Sequence, residues 1–413
     1  MPYVAVVSSR HLPATLAATL RPDDFDHIFY ADDYESVAAL AAALPDDIVG
    51  AAIGTEIDVH LFDLLCAELG VPGNDPATSD HRIDKYGMVQ AMRAAGVPAI
   101  PTLLTSDLSE ALSWVDGRGE VVVKPSSSAG SDSVYFCREA SEVERAFGSI
   151  LGQVNQMGRD NDAVLLQERI FGRQFVVNAV STEGRHYVVE AWNDRRRAVP
   201  GHGVVHDFEE LLPADDPDVA VLSRHLLRCL DAMGFRNGPS HAEMMLTERG
   251  PLLIEVGPRV QGSVLSAPVE YATGGRSHAS STLDAAIDGF PSAAEATGAV
   301  PEYRVERPLR MTSLISPVDG TVNSADHLAP VLDDPRTKGV LGHLEPGVPV
   351  RRTIDLFTSP GAIYVTGADA GDVEDAYQGI RAREDDITGA GLYVPDVGQS
   401  AAPEAGSNSE EVH

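Results

Sequence analysis

The sequence predicts an α/β protein with an N-terminal parallel α/β sheet domain, a two-lobed strand-rich middle region and a C-terminal β-rich subdomain. Three observations carry this. Short β-branched runs alternate with helical patterns over the first 75 residues; apolar strand runs then dominate; Gly and Pro punctuate a last β-rich stretch from about residue 306. At 413 residues the chain has room for two to four packed subdomains, and its 43% hydrophobic residues suffice for a large core.

Taken in order, Val4-Ala5-Val6-Val7, His27-Ile28-Phe29-Tyr30 and Ile48 to Ile53 read as strands. Helices are expected over 12–20, 34–44 and 58–70. This alternation argues for parallel strands covered by helices. No G-x-G-x-x-G follows the first strand, so a dinucleotide site is not indicated. Val71-Pro72-Gly73-Asn74 breaks the chain. A helix follows, capped by Ser79 or Asp80, striped by Met88, Val89 and Met92, and stopped at Gly96-Val97-Pro98. Strands are then expected at Ile100 to Leu104, Glu120 to Lys124, Ser133 to Cys137 and Val164 to Glu168. A third unit holds strands over 174–181, 186–192, 240–246 and 251–256, with a helix over 217–233. The expected units are therefore 1–95, 96–180, 181–305 and 306–395, and the small, polar, acidic stretch 396–413 is expected to be disordered.

A net charge of −31 with no basic tract argues against a nucleic-acid partner. No run approaches the roughly 18 to 20 apolar residues that span a bilayer, which argues against a membrane protein. The first residues carry no basic n-region, so no signal peptide and a cytoplasmic location are expected. Cys66, Cys137 and Cys229 show neither metal spacing nor a disulfide framework, as fits free buried thiols. Of 31 basic residues only Lys85, Lys124 and Lys338 are lysine. In so arginine-rich a background, a retained lysine points to chemistry that needs a compact ammonium in place of a planar fork.

Three segments carry chemistry. In the first, the strand Glu120 to Lys124 ends in a lysine and runs into Pro125-Ser126-Ser127-Ser128-Ala129-Gly130-Ser131-Asp132. Small residues let backbone N–H groups approach phosphate oxygens, and Lys124 would add positive charge there. An ordinary hairpin connection would look similar, and no Walker A pattern is present. In the second, Gln167-Glu168-Arg169-Ile170-Phe171-Gly172 links two strands as a hinge, which can offer backbone and polar groups to a purine and ribose or be a solvated turn. In the third, His241-Ala242-Glu243 and Leu253-Ile254-Glu255 lie either side of a turn at Glu248 to Pro251. That spacing brings Glu243 and Glu255 near each other on one face. Paired carboxylates repel unless a cation sits between them, and two carboxylates plus phosphates describe a Mg²⁺ site. Arg259 follows closely enough to clamp a phosphoryl group. His241 could orient Glu243.

The order Asp84-Lys85, Lys124 with its Ser/Gly loop, Gln167-Glu168 with Gly172, and Glu243…Glu255…Arg259 resembles the ATP-grasp superfamily, within it the L-amino-acid (dipeptide) ligases. The likeness covers residues 1–300 well and the remainder loosely. It implies an α+β two-lobed nucleotide-binding region, with 96–180 as the small lobe or lid and 181–305 as the large lobe. It implies ATP as co-substrate with Mg²⁺ or Mn²⁺, Lys85 and Lys124 on the phosphates, and Ser127, Ser128, Ala129 and Gly130 folding over them. Gln167, Glu168 and Ile170 would border the adenine, and Gln174 would contact the ribose, where many relatives carry Glu. Glu243 and Glu255 would ligate the metal; Arg259 and Lys124 would serve the transfer itself. Many ATP-grasp enzymes have Asn where this chain has Gly257, which fits the amino-acid ligase branch and leaves a second metal open.

The implied reaction joins two amino acids, by a dipeptide or γ-glutamyl-type bond, through an acyl phosphate, with release of ADP and phosphate. Candidate substrate contacts are Glu56, Arg259, Gly262, Ser263 and His206, the last beside the basic run Arg195-Arg196-Arg197. A homodimer is compatible with the resemblance. The alternative is another ATP-grasp ligase or carboxylase acting on a non-amino-acid carboxylate. A nucleotide-binding module without turnover would be expected to have lost Glu243, Glu255 or Arg259.

Overall fold

The two leading hydrophobic runs pair in parallel, β1 (Val4–Val7) on β2 (His27–Tyr30). This and all that follows is seen in a computed structural model that describes residues 3–12, 17, 20–128, 133–155, 158–199, 203–262, 264–289, 303–356 and 358–396. Helices Val37–Ala43 and Val59–Leu69 cover the pair, the first capped by Ser36, whose side chain accepts from the Ala39 N–H. Leu40, Leu44 and Leu65 form the small core between them. The expected third strand, 48–53, is not formed. That segment instead presses on helix His278–Asp288 so closely that a Cβ on Gly50 would lie 1.8 Å from the Ala286 carbonyl oxygen. The expected helix over 12–20 falls mostly outside the described residues.

The helix predicted to start at Ser79 or Asp80 is two helices, Asp80–Ile83 and Lys85–Ala94. Asp84 breaks it because its side chain caps the second one, accepting from the Gly87 N–H at 2.7 Å. The same carboxylate accepts a short bond from the Ser126 hydroxyl, and the Lys85 N–H donates to the Ser126 carbonyl at 3.0 Å. The cap therefore ties this helix to the small-residue loop. Met88, Val89 and Met92 are buried as the stripe requires.

Next comes an antiparallel sheet of β3 (Thr102–Thr105), β4 (Val121–Pro125), β5 (Tyr135–Cys137) and β6 (Val164–Glu168), in the order β3-β6-β4-β5. Helices Leu108–Val115 and Ala140–Ile150 cover one face, burying Val121, Val123, Val164 and Leu166. Alternation then turns Val122, Lys124, Leu165 and Gln167 to the other face.

The largest sheet begins with β7 (Arg173–Thr182), β8 (Arg185–Val199), β9 (Gly203–Leu211), β10 (Gly238–Thr247) and β11 (Gly250–Gly257). Helix Pro217–Ala232 packs its stripe of Val219, Leu222, Leu226, Cys229 and Leu230 into the main core. Gly172, just before β7, leaves room for β10: a Cβ there would lie 2.3 Å from the Leu246 carbonyl oxygen. Beyond residue 303 follow β12 (Leu309–Ser313), β13 (Gly320–Val322), β14 (Thr337–Gly342), β15 (Pro349–Val350), β16 (Gly361–Thr366) and β17 (Tyr393–Pro395).

Sheet pairing crosses the expected unit boundaries. The large sheet runs β11-β10-β7-β8-β9-β12-β16-β14, so it takes β7 from before residue 182 and three strands from beyond 305. The link is β9, which pairs with β8 on one side and β12 on the other. Hydrophobic pattern marks a strand but not its partner, which is why 180 and 305 read as borders. Beyond residue 303, β15-β13-β17 stands apart from the large sheet, and helices Ala325–Leu332 and Ala370–Asp385 lie in the same stretch of chain. Of the expected disordered stretch, 397–413 lies outside the described residues.

A buried ion pair inside the first unit holds a guanidinium that also bonds across to the large one. The Arg82 guanidinium donates to Asp63 at 2.7 Å, to Thr78 Oγ1 at 2.8 Å and to the Gly234 carbonyl at 3.3 Å. Both side chains are 0–1% exposed. Removing one member strands the other charge, which typically costs about 3–5 kcal/mol. Arg82→Met is expected to lower the urea unfolding stability by that amount, and Asp63→Leu added to it should recover part. A loss below about 1 kcal/mol would show that Arg82 does not join the units.

Candidate active site

Thr247-Glu248-Arg249-Gly250 closes the β10–β11 hairpin, with the Thr247 hydroxyl donating to the Gly250 carbonyl at 2.8 Å. Across the strands Glu243 stands opposite Glu255, and a register shift follows immediately at Met244. Ala242, Met244, Leu253 and Val256 face the core, which leaves the two carboxylates on the other face. Two lysines answer them. Lys85, at the first turn of its helix, reaches Glu255 at 3.1 Å and donates to the Ser128 carbonyl at 2.5 Å. Lys124, at the end of β4, is 6% exposed and acts electrostatically on both carboxylates.

The charges settle accordingly. Burial alone would raise Glu255, but Lys85 and Lys124 overcome it and hold the carboxyl below the usual range. Burial and then Glu255 push Glu243 up. Burial lowers Lys124 to about 8 despite Glu255. A half-buried carboxylate pair with one member driven toward its neutral form is a site short of positive charge, so a divalent cation on Glu243 and Glu255 fits the residues present.

Beside the hairpin, Arg259 donates to Glu56 at 3.3 Å and to the Val260 carbonyl at 3.1 Å. Glu56 also explains Gly257: a Cβ there would lie 2.8 Å from Glu56 Oε2. Glu56, Lys85, Ser127, Ser128, His241, Glu255, Arg259 and Arg159 line one open cleft of about 540 Å³.

An ATP-grasp domain pattern matches residues 118–267, which span β4, the hinge and the hairpin. The chain is 30% identical over 343 residues to dapdiamide A synthase of Enterobacter agglomerans, across 82% of this chain and 79% of that protein. The chain belongs to the ATP-grasp family. It is an ATP-grasp ligase, an enzyme that forms carbon–nitrogen bonds. Among solved structures, an L-amino acid ligase from Bacillus licheniformis superposes with a TM-score of 0.71 at 17% identity, covering 92% of this chain and 97% of that one. The biotin carboxylase domain of 2-oxoglutarate carboxylase from Hydrogenobacter thermophilus superposes at 0.57 and 17% identity, over 88% of this chain and 80% of that one; it holds MgADP and bicarbonate. ATP-grasp enzymes use ATP with Mg²⁺.

Within this ATP-grasp frame the remaining expected site residues fall unevenly. Gln167 is buried and donates to Thr102 Oγ1 at 3.2 Å. Glu168 pairs with Arg249 of the hairpin turn at 2.7 Å, and Ile170 is half-buried in the hinge. Gln174 donates to Glu243 at 3.3 Å, so it touches the carboxylate expected to hold metal. Gly262 sits by Arg259, whose Nη1 would lie 3.8 Å from a Cβ there. Ala129, Gly130 and Ser263 lie outside the described residues. His206 does not line the cleft. It sits on β9, where its Nε2 receives Arg196 at 2.8 Å, and Arg196 also donates to Asp194 at 2.7 Å. Donor atoms of Asp194, His206 and Glu209 lie within 4.8 Å of one another, but the Arg196 guanidinium already supplies the positive charge there.

His241 does not orient Glu243. Its Nδ1 lies 2.9 Å from Asn178 Oδ1, because β10 pairs with β7 at exactly that register position. Burial and Arg259 push it down to about 3, so the ring is neutral. Arg159, absent from the sequence reading, comes from an irregular loop that carries no periodic signal.

These pKa shifts set a pH dependence for the ligand-free protein. Lys124 is charged below about pH 8 and neutral above it, so phosphate affinity should fall as pH rises through 8. Glu243 is raised, so a cation must displace its proton at lower pH, and metal affinity should fall as pH drops. Mg·ADP affinity, measured by calorimetry from pH 6 to 9.5, is expected to peak in between and to weaken by up to about tenfold per unit on either side. A flat profile would contradict these charge assignments.

Proposed function

We propose that this ATP-grasp ligase activates a carboxylate with ATP and joins it to the amine of an amino acid, through an acyl phosphate, releasing ADP and phosphate. The observation that carries the amino-acid part is the Glu56–Arg259 pair across the cleft, 3.3 Å apart. A zwitterion exchanges into such a pair with its charges matched: ammonium to Glu56, carboxylate to Arg259. The nearby likeness to dapdiamide A synthase and to an L-amino acid ligase supports the same reading.

On this reading Lys85 and Lys124 hold the phosphates beside Ser127 and Ser128, and Glu168, Ile170 and Gln174 border the adenosine. Glu243 and Glu255 would hold Mg²⁺, which supplies charge neutralisation at the phosphate oxygens. Arg259 steadies the carboxylate as its oxygen attacks the γ-phosphorus and ADP departs. The amine nitrogen then attacks the acyl carbon, the carbon–oxygen bond to phosphate breaks, and the nitrogen gives up a proton. The lobe built on β3 to β6 would close to exclude water, which otherwise hydrolyses the acyl phosphate.

The test is phosphate release from Mg·ATP against L-amino acids, singly and in pairs, with ADP and AMP resolved and products weighed. Release of ADP only with certain pairs, together with a product equal to their sum minus water, is expected. Activity with bicarbonate or a simple acid alone would move the chain to another ATP-grasp chemistry, and AMP with pyrophosphate would remove the acyl phosphate. With the active pair in hand, Arg259→Ala should lower kcat by about 10²- to 10³-fold. Glu56→Gln should chiefly raise the KM of one amino acid; unchanged kinetics would remove it from the substrate site.

A further inference from the structure

The loop between helix Ala140–Ile150 and β6 is not slack. It folds back on itself: the Gly152 N–H donates to the Asn161 carbonyl at 2.8 Å, the Asn161 N–H to the Gln153 carbonyl at 2.9 Å and the Asn155 N–H to the Arg159 carbonyl at 2.9 Å. Val154 and Asp160 form an isolated antiparallel bridge. Asn155, 7% exposed, is the anchor. Its Nδ2 donates to the Ser127 carbonyl at 3.1 Å and to Asn161 Oδ1 at 3.1 Å, and its Oδ1 accepts from the Arg159 N–H at 3.1 Å. One side chain thus fixes the base of Arg159 and straps it to the loop that follows Lys124.

Arg159 lines the cleft beside Ser127, Ser128 and Lys85. The other cleft-lining cations are already matched, Lys85 with Glu255 and Arg259 with Glu56. Among the described residues no carboxylate lies within ion-pair distance of the Arg159 guanidinium. An unmatched cation on a strapped turn, in a chain of charge −31, is a receptor for an incoming anion. Its strap ends on Ser127, at the small-residue loop, and not on the Glu56–Arg259 pair.

We propose that Arg159 binds the terminal phosphoryl group of the nucleotide, and that Asn155 is the residue that positions it. This rests on the nucleotide-dependent ligase reading above. A guanidinium in this place can give two parallel N–H bonds to phosphoryl oxygens. It contributes to the terminal phosphoryl and little to the two inner ones.

The test compares Mg·ADP with Mg·AMP-PNP binding by calorimetry in wild type, Arg159→Ala and Arg159→Lys. Arg159 is half-buried and belongs to no helix or strand, so neither variant should disturb folding, which melting would check. Arg159→Ala is expected to weaken AMP-PNP about tenfold or more while ADP changes less than about twofold, with Arg159→Lys in between. Equal loss for both nucleotides, or no loss for either, overturns the assignment. So does unchanged nucleotide discrimination with a raised KM for an amino acid, which would make Arg159 a carboxylate receptor. Wild-type protein that binds neither nucleotide overturns the ligase reading itself, and the proposal with it.

Discussion

The site is organised by the placement of two carboxylates, Glu243 and Glu255, directly opposite each other on a hairpin. Half-buried there, they are only partly screened by water, so their repulsion must be met by charge from elsewhere. Lys85 and Lys124 meet part of it from two separate elements, a helix start and a strand end. Lys85 also pays in helix electrostatics: a cation at the first turn opposes the helix dipole, and Glu255 offsets that. With the dipole and the ammonium pointing the same way, the helix end presents concentrated positive charge to the cleft. Asp84, capping that helix and holding Ser126, fixes the loop at the same place.

Behind the cleft lies a buried polar network that fixes side-chain orientation. Asn178 Nδ2 donates to Glu190 at 3.0 Å and to Gln261 at 2.7 Å, and Gln261 donates in turn to Glu209 at 2.7 Å. With both amide hydrogens spent, Asn178 Oδ1 accepts, so His241 carries its proton on Nδ1. Trp192 and the His278 N–H bond the same Glu190 carboxyl. Because buried polar groups are costly when unmatched, each such contact restrains the next, and the cleft wall is rigid on this side.

Much of the site was legible because its residues break a local rule. Lys85 and Lys124 stand out as lysines in an arginine background, and Glu243 and Glu255 as charges inside apolar strands. Strands β4, β6, β7, β10 and β11 followed from apolar runs. What was hidden depended on partners distant in sequence. The run at 48–53 has strand composition but meets helix His278–Asp288 instead of a ladder. His206 looked free to meet a ligand but is engaged by Arg196, and Gln174 has in Glu243 a partner that the sequence did not show. Arg159 has no periodicity around it at all.

Glu56 and Gly257 show how one fold can be turned to different substrates. A Cβ at 257 would lie 2.8 Å from Glu56 Oε2, so an Asn there would require the end of the Glu56 side chain to move. The side chain that the hairpin gives up is replaced by one from the first unit, outside the two lobes that carry the nucleotide-binding residues. On the proposed reading, the phosphate and metal groups come from helix Lys85–Ala94, β4 and the hairpin, whereas the ammonium contact comes from the N-terminal unit. Structures of a carboxylase and of an amino-acid ligase both superpose on this chain, so likeness in fold says little about substrate. The choice of substrate would rest on the loop around Glu56, which can change without disturbing the carboxylate pair or its lysines.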